Sequence, residues 1–288
     1  MTPTELLERY ATGDRDFYLV ELIEASFMGA NLSGADFTQA KLTRANFVQA
    51  NLTRATLSNA DLREAELEGT DFRAADLSSA DLIAANLSGA DLALADLTGA
   101  DLSQTNLMMA HLTGANLLGA NLSKAILVGA DLRGTSLTGA NLSQANLSNA
   151  YLYEADLREA NLEKTNFKRT LYNQQTIFPK DLDPLEAGAY LIAPYVSLVG
   201  INLCSVNLPG VNLEGANLSN SDLRQSNLQL ANLRGVNLSG ANLSGTNLRG
   251  ANLEGANLDQ TNLEGANLSG TIMPNGITHM AETPSIQR

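Results

Sequence analysis

Residues 85–89 are Ala85-Asn86-Leu87-Ser88-Gly89, and variants of this five-residue phrase run along nearly the whole chain of 288 residues. Every fifth position from Leu22 to Phe167 is Leu or Phe, and the inward position two residues earlier is Ala or Thr from Ala25 to Thr170. After an interruption, Leu occupies every fifth position from Leu203 to Leu268, one residue out of the earlier register. A period this short indicates a repeat architecture.

The pentapeptide predicts a short extended segment followed by a turn. Residues two apart share one face of an extended chain, so Ala85 and Leu87 point to one side and Asn86 to the other. Ser88 and Gly89 are residue types that suit a turn. A helix is excluded, because a five-residue period cannot keep one apolar stripe on a helix of about 3.6 residues per turn.

With this motif the chain resembles the pentapeptide-repeat family from about Leu22 to Ile272. The resemblance implies an all-β fold, a right-handed quadrilateral parallel β-helix (a solenoid) with four pentapeptides per coil and coils about 4.8 Å apart. Echoes at twenty residues agree with that coil, among them Phe27 and Phe47, and Met108 and Val128.

Five segments are predicted along the chain. Thr2 and Glu5 have the spacing of a capping box with Pro3 at the first helical position, which predicts a short helix that caps the end of the solenoid. The predicted segments are the N-terminal helical cap at 1–16, the first repeat block at 17–177, a non-repeat insertion at 178–197, the second block at 198–272 and the C-terminal tail at 273–288.

The insertion interrupts the repeat after Tyr172 and Ile177, which still keep the register of the first block. Asp183 and Glu186 have a second cap-like spacing, which favours a short helix from about Pro184 to Tyr190. The stretch resembles an insertion found in cyanobacterial members of the family, and this resemblance implies a cyanobacterial protein. Its role is either a loop packed over one wall or a protrusion that binds a partner.

Charge and cysteine content limit the function. A net charge of −13 argues against holding DNA or RNA, which requires a basic face. The single cysteine, Cys204, excludes an internal disulfide framework. Met1 to Tyr10 lacks an apolar core of signal-peptide length, and no stretch approaches a membrane span. The sequence therefore predicts a cytoplasmic protein with no membrane contact, for which a dimer is possible but not indicated.

The acidic residues concentrate between Asp61 and Asp101, where ten acids stand against Arg63 and Arg73. A solvated surface is one interpretation, and a docking patch for a basic partner is the other. The resemblance adds an alternative function, since some family members resemble B-form DNA and bind type II topoisomerases such as gyrase. The span is short for that role, about 10 Å. The residues of this alternative acidic patch are Asp61, Asp71, Asp81, Asp91 and Asp101.

One group of outward positions departs from the polar pattern. Met108, Met109, Ile126 and Val128 are apolar on one wall, whereas scattered apolar residues are ordinary on a surface. On the next wall His111 replaces the usual Asn or Asp, and Arg133, Tyr151 and Tyr153 follow it. Aromatic and Arg side chains are typical of binding hot spots. These eight residues form the predicted protein-binding site, although Tyr153 could equally pack beneath the insertion.

No enzyme signature is present, such as a Gly-rich phosphate loop, a Cys and His cluster or a nucleophile elbow. A metal at His111 is disfavoured because a flat ladder of side chains offers few convergent ligands. No cofactor or metal is predicted. The sequence thus predicts a non-enzymatic scaffold that binds another protein through one wall, with the topoisomerase-binding DNA mimic as the alternative and an enzyme as the remote one.

Overall fold

The computed structural model describes residues 1–279 and divides into two compact units, Met1–Tyr190 and Leu191–Arg288. The regular elements are α1 at Pro3–Ala11, β1 at Leu171–Tyr172 and β2 at Tyr190–Leu191, and β1 pairs with β2 in a two-stranded sheet. Nearly all the remaining backbone pairing consists of isolated parallel β-bridges. Within the described residues, no helix has the length and apolar character needed to cross a membrane.

Both units are built from stacked coils of twenty residues. In unit 1 the bridges join residues twenty apart from Asp16 and Asp36 onward, and in unit 2 the same spacing runs from Ser197 and Asn217 to Asn252 and Ile272. Each regular coil holds four bridged positions, one per pentapeptide, so the bridged residues form four columns. The prediction of a β-solenoid built from pentapeptides is confirmed.

The backbone of each pentapeptide is paired along the stack. The Leu87 N–H donates to the carbonyl of Asn106 at 2.7 Å, and the Gly89 N–H donates to the carbonyl of Met108 at 2.9 Å. A turn closes where the Ala90 N–H donates to the Leu87 carbonyl at 3.0 Å. The second turn residue takes a positive φ, +63° at Gly89, which explains why glycine is frequent at this corner.

The interior contains the central Leu or Phe and the inward Ala or Thr of each pentapeptide. Leu87 and Ala90 are buried, as are the corresponding residues of nearly every coil. Inward threonines satisfy their hydroxyls on the backbone: Thr70 Oγ1 donates to the Phe47 carbonyl at 2.7 Å. The small inward residue leaves room on the axis for the larger one, so the core is filled without buried unpaired hydroxyls at these positions.

The Asn or Asp before the central Leu has a structural role. Its Oδ1 accepts the N–H of the first turn residue two positions later, as Asp36 does from Thr38 at 2.8 Å. Asn side chains also donate to the coil before them, as Asn106 Nδ2 does to Asn86 Oδ1 at 3.0 Å. The coil itself therefore requires a short side chain with an Oδ1 acceptor at this position.

Helix α1 has the predicted capping box. The Glu5 N–H donates to Thr2 Oγ1 at 3.2 Å, and the Thr2 N–H donates to Glu5 Oε2 at 2.8 Å. Leu6 is buried, and the Tyr10 hydroxyl donates to the carbonyl of Ser33 at 2.9 Å. The helix thus packs against the first coils of unit 1.

The register shifts earlier than the sequence pattern indicates. Ile177 bridges Asp156 at a separation of twenty-one residues and is 45% exposed, so its prediction as an inward residue of the first register is wrong. Phe178 takes the inward role and contacts the ring of Tyr172 at 5.3 Å. Asn173 permits the extra residue: its Oδ1 replaces a backbone carbonyl and accepts the Glu154 N–H at 3.0 Å.

The helix predicted from Pro184 to Tyr190 is absent, and this prediction is wrong. Residues 184–188 form turns, with Asp183 Oδ1 accepting the Leu185 N–H at 2.9 Å. Gly188 has a φ of +92°, and the backbone then enters β2. The cap-like spacing produced a single capped turn because the left-handed glycine ends it after four residues.

In the C-terminal segment, Ile272 forms an antiparallel bridge with Thr278, and the Met273 N–H donates to the Ile277 carbonyl at 2.9 Å. The predicted tail at 273–288 extends past this turn, and its residues 280–288 lie outside the described part of the chain.

Candidate functional site

Two neighbouring columns of unit 1 contain the predicted binding residues. We call the first the Asn86 column (residues 26, 46, 66, 86, 106, 126, 146 and 166) and the second the Asp91 column (residues 31, 51, 71, 91, 111, 131, 151 and 171). The Asn86 face and the Asp91 face are the outward sides that contain these columns. The two columns come from consecutive pentapeptides of each coil, so the two faces meet at one corner.

The apolar residues lie on the Asn86 face. Ile126 bridges Asn106 and is 40% exposed, and Met108 is 43% exposed. Val128 is half-buried one coil after Met108. Met108, Ile126 and Val128 therefore form one apolar patch that extends over two adjacent coils.

Met109 occupies the corner between the two faces. It is 61% exposed and has a φ of +57°, a left-handed conformation that is costly for a residue with a side chain. Its side chain packs over Gly129 one coil later, where a Cβ would lie 2.6 Å from the Met109 sulfur. Leu230 packs in the same way over Gly250 in unit 2.

Ile126 interrupts a ladder of side-chain amides. Asn106 Nδ2 donates to Asn86 Oδ1 at 3.0 Å on one side, and Asn166 Nδ2 donates to Asn146 Oδ1 at 2.9 Å on the other. The isoleucine side chain has no donor or acceptor, so it can make neither the ladder bond nor the bond to the turn N–H. The coil loses these bonds at this position.

His111 lies in the Asp91 column, bridged to Asp91 on one side and to Asp131 on the other. Its side chain is exposed. Among residues 1–279, no group of three or more His, Cys, Asp and Glu side chains is arranged to hold a metal ion.

Arg133 is held by the aspartate two residues before it. Arg133 Nε donates to Asp131 Oδ1 at 2.8 Å and Nη2 donates to Oδ2 at 2.5 Å. Burial alone would raise the pKa of Asp131, but the hydrogen bonds and charge of Arg133 lower it below the usual value. The same Asp-x-Arg pairing recurs at Asp61, Asp71, Asp156 and Asp222.

Tyr151 and Tyr153 follow on the Asp91 face, with ring centroids 6.4 Å apart in an edge-to-face contact. Both residues are half-buried. The Tyr153 hydroxyl is buried and has no hydrogen-bond partner in the described part of the chain. Burial raises the pKa of Tyr153 well above its usual value.

The alternative acidic residues are divided between two columns. Asp61, Asp81 and Asp101 share one column, whereas Asp71 and Asp91 lie half a coil away in another. Arg63 contacts Asp61 at 2.6 Å and Asp81 at 3.5 Å. Arg73 contacts Asp71 and Asp91 at the same two distances. Four of the five acids are thus ion-paired, and they do not form a single face.

An apolar group in the first coil was not predicted from the sequence. Tyr18, Ile23 and Met28 are exposed at the first turn position of three successive pentapeptides, and Leu19 is exposed at a corner. Tyr18, Ile23 and Met28 have the same repeat position as Met108, and Leu19 has that of Met109, so the repeat register was a sufficient signal to find them.

The stacked coils, the four columns and the turn after each pentapeptide define a repeat protein of the β-solenoid class. The family model for pentapeptide repeats matches the chain in eight copies, over residues 21–171, 197–235 and 237–273. The chain belongs to the pentapeptide-repeat family. None of the curated proteins compared with the chain matches it.

Solved structures of the family are similar to the chain. HetL, a pentapeptide repeat protein involved in heterocyst differentiation regulation in the cyanobacterium Nostoc sp. strain PCC 7120, is 35% identical over 97% of this chain and 100% of its own, with a TM-score of 0.45. Rfr23 from the cyanobacterium Cyanothece 51142 is 27% identical over 61% of this chain and 98% of its own, with a TM-score of 0.24. Cyanobacterial relatives are thus shown.

QnrB1, a plasmid-mediated fluoroquinolone resistance protein, is 19% identical over 61% of this chain and 93% of its own, with a TM-score of 0.52. At this identity the similarity shows the fold alone.

Proposed function

We propose that the protein is a non-enzymatic scaffold that binds a protein partner through the corner where the Asn86 and Asp91 faces meet. The proposed contact residues are Met108, Met109, His111, Ile126, Val128, Arg133 and Tyr151, with Tyr153 supporting them from beneath. HetL is involved in regulation, and a regulatory role through protein binding is the corresponding proposal for this chain.

The observation that carries this proposal is that several of these residues oppose the needs of the coil. Met109 places a large apolar side chain at a left-handed corner that elsewhere holds mostly glycine or polar residues. Ile126 interrupts an amide ladder, and His111 replaces an Asn or Asp that would bond the turn. Departures that weaken the local structure without compensation are typical of functional positions.

The backbone restricts how a partner can bind. Each pentapeptide already directs its N–H and C=O groups to the coils on either side, so an added strand finds no free edge along a face. Recognition must therefore come from side chains. Desolvation of the apolar patch supplies binding energy, and Tyr151 and Arg133 supply directional contacts at its rim.

A variant that restores the coil's preferred residues tests this proposal. We expect Met109→Gly, His111→Asn and Ile126→Asn together to keep or raise the melting temperature, because the corner strain ends and the amide bonds return. The same variant should lose partners captured from a lysate of the source cell, quantified by mass spectrometry against the wild type.

Leu230→Gly in unit 2 is the matched control. Leu230 also has a positive φ, +60°, and packs over a glycine, so the change is chemically similar to Met109→Gly. It should leave capture unchanged. Equal capture by the triple variant and the wild type would refute the proposed surface.

The topoisomerase-binding alternative is less favoured. A DNA mimic needs exposed negative charge along one face, whereas Arg63 and Arg73 form ion pairs with four of the five candidate acids and offset part of their charge. The two columns are also half a coil apart.

Two finer points of the fold belong to the same proposal. We propose that the coils form a right-handed quadrilateral and that α1 caps the first coil; the packing of Leu6 and Tyr10 against unit 1 supports the cap. A cytoplasmic location is also proposed, in keeping with the single cysteine.

A further inference from the structure

The Asn86 face has an ordered charge pattern along the solenoid axis. Glu64, Glu66 and Glu68 are exposed at one end of the pattern, and none of them forms an ion pair within residues 1–279. Lys164 and Lys168 are exposed at the other end. The apolar patch of Met108, Ile126 and Val128 lies between the two charged groups.

The three groups are symmetrically spaced. Residues 68, 88, 108, 128, 148 and 168 follow one another at one coil each, so the midpoint between Glu68 and Lys168 falls between Met108 and Val128. Glu64 and Lys164 are also one hundred residues apart, at the corner that adjoins the Asn86 face. The five steps from residue 68 to residue 168, at about 4.8 Å each, place the two charged ends about 24 Å apart.

We infer that the Asn86 face binds a second copy of this chain in an antiparallel, two-fold symmetric dimer. This inference rests on the proposed function for its apolar centre and names the partner of that face. The two-fold axis lies in the contact plane, perpendicular to the solenoid axis. It reverses the order of the coils, and each row of residues twenty apart lies opposite the same row of the partner copy.

The charged pairs and the central apolar pair of this arrangement are complementary in chemistry. Glu68 lies opposite Lys168 of the partner copy, Glu64 lies opposite Lys164, and Met108 lies opposite Val128. Each charge pair occurs twice because of the symmetry. Between them Ser88 lies opposite Ser148 and Asn86 opposite Asn146, and in the same column Asn106 lies opposite Ile126 and Glu66 opposite Asn166.

The charged pairs also offset the repulsion between two copies of the same net charge. Two molecules of charge −13 repel one another, so association needs local complementarity to overcome the repulsion. Lys168 has no ion pair with any of residues 1–279, and Lys164 contacts only the exposed Glu163, at 3.1 Å. Both side chains can therefore turn to a partner copy. One face is a small interface, so the dimer should dissociate on dilution.

Charge exchange on the full chain tests the inference. Sedimentation velocity over an about hundredfold range of protein concentration should show a monomer and dimer in equilibrium. Glu68→Lys and Lys168→Glu should each weaken dimerisation about tenfold, because each creates two like-charge contacts. The double variant Glu68→Lys with Lys168→Glu should recover the wild-type constant to within about threefold, since the pairs return with reversed sign.

Glu159→Lys provides the control, because Glu159 is exposed at a corner outside the Asn86 face and the charge change is the same. It should dimerise as the wild type does. A wild type that stays monomeric, or a double variant as weak as the single ones, would overturn the inference. If the wild type is monomeric but the triple variant of the proposed function loses its lysate partner, the proposed function stands and the dimer fails. If the charge variants change dimerisation as expected while the triple variant captures the same lysate proteins as the wild type, the dimer stands and the proposed function fails.

Discussion

Substitution of Gly129 by alanine tests the placement of Met109 directly. Gly129 has a φ of +69°, and a Cβ there would lie 2.6 Å from the Met109 sulfur. Gly134, the next corner along the chain, has a φ of +65° and nothing within 4 Å of the corresponding Cβ. The pair Gly129→Ala and Gly134→Ala therefore shares the backbone strain and differs in the contact with Met109.

The magnitudes follow from this geometry. Placing a Cβ in the left-handed region costs about 1–2 kcal/mol, partly offset by about 0.4–1 kcal/mol from the reduced freedom of the unfolded chain. Gly129→Ala must also displace the flexible end of Met109, at a further cost of about 0.5–1.5 kcal/mol. For a chain of this size, about 1 kcal/mol corresponds to about 2–4 °C in melting temperature.

Thermal unfolding followed by circular dichroism measures the first effect, and partner capture measures the second. Both variants should melt below the wild type, Gly129→Ala the lower of the two. Only Gly129→Ala should reduce capture, because it moves Met109 out of the corner. Identical melting and identical capture for the two variants would show that Met109 does not pack over Gly129, and the proposed surface would lose its central residue.

Two further predictions concern the core and the ion pair of Asp131 with Arg133. Ala90→Leu should overfill the axis and cost about 1–3 kcal/mol, whereas the outward Ser88→Leu should be nearly neutral in melting temperature; a neutral Ala90→Leu would contradict the inward assignment. Because the pKa of Asp131 is lowered in the folded state, its pairing with Arg133 stabilises the fold above the unfolded pKa of about 3.9 and is lost as the pH falls through the folded value. Arg133→Leu should accordingly lower the melting temperature at neutral pH, with a difference from the wild type that shrinks as the pH is lowered below about 4; a constant difference would refute this.

The repeat register was predictable because each inward Leu is specified by its own pentapeptide. The residue that bridges the coils was equally visible, since Asn86 and Leu87 point to opposite sides of extended chain. The pairing of Asp131 with Arg133 could also have been found, because residues two apart share the outward face. Such local relations need no knowledge of distant parts of the chain.

The register shift was not predictable, because it depends on a distant contact. Asn173 Oδ1 replaces a carbonyl for Glu154, nineteen residues away, and this exchange admits the extra residue before Ile177. The sequence at Tyr172 and Ile177 fits either register. The burial of the Tyr153 hydroxyl is a tertiary effect of the same kind.

The choice between Asp and Asn in the columns bears on where a partner can bind. The bond to the turn N–H needs only Oδ1, so either residue satisfies it, but the ladder needs an amide donor between successive coils. Asp61 and Asp81 have no donor of their own, and Arg63 supplies it by contacting both carboxylates. Arg73 does the same for Asp71 and Asp91. These charges are thus engaged in holding the coils together. We therefore expect most of the binding energy to come from side chains that the coil does not use, and Met109, His111 and Ile126 are such side chains.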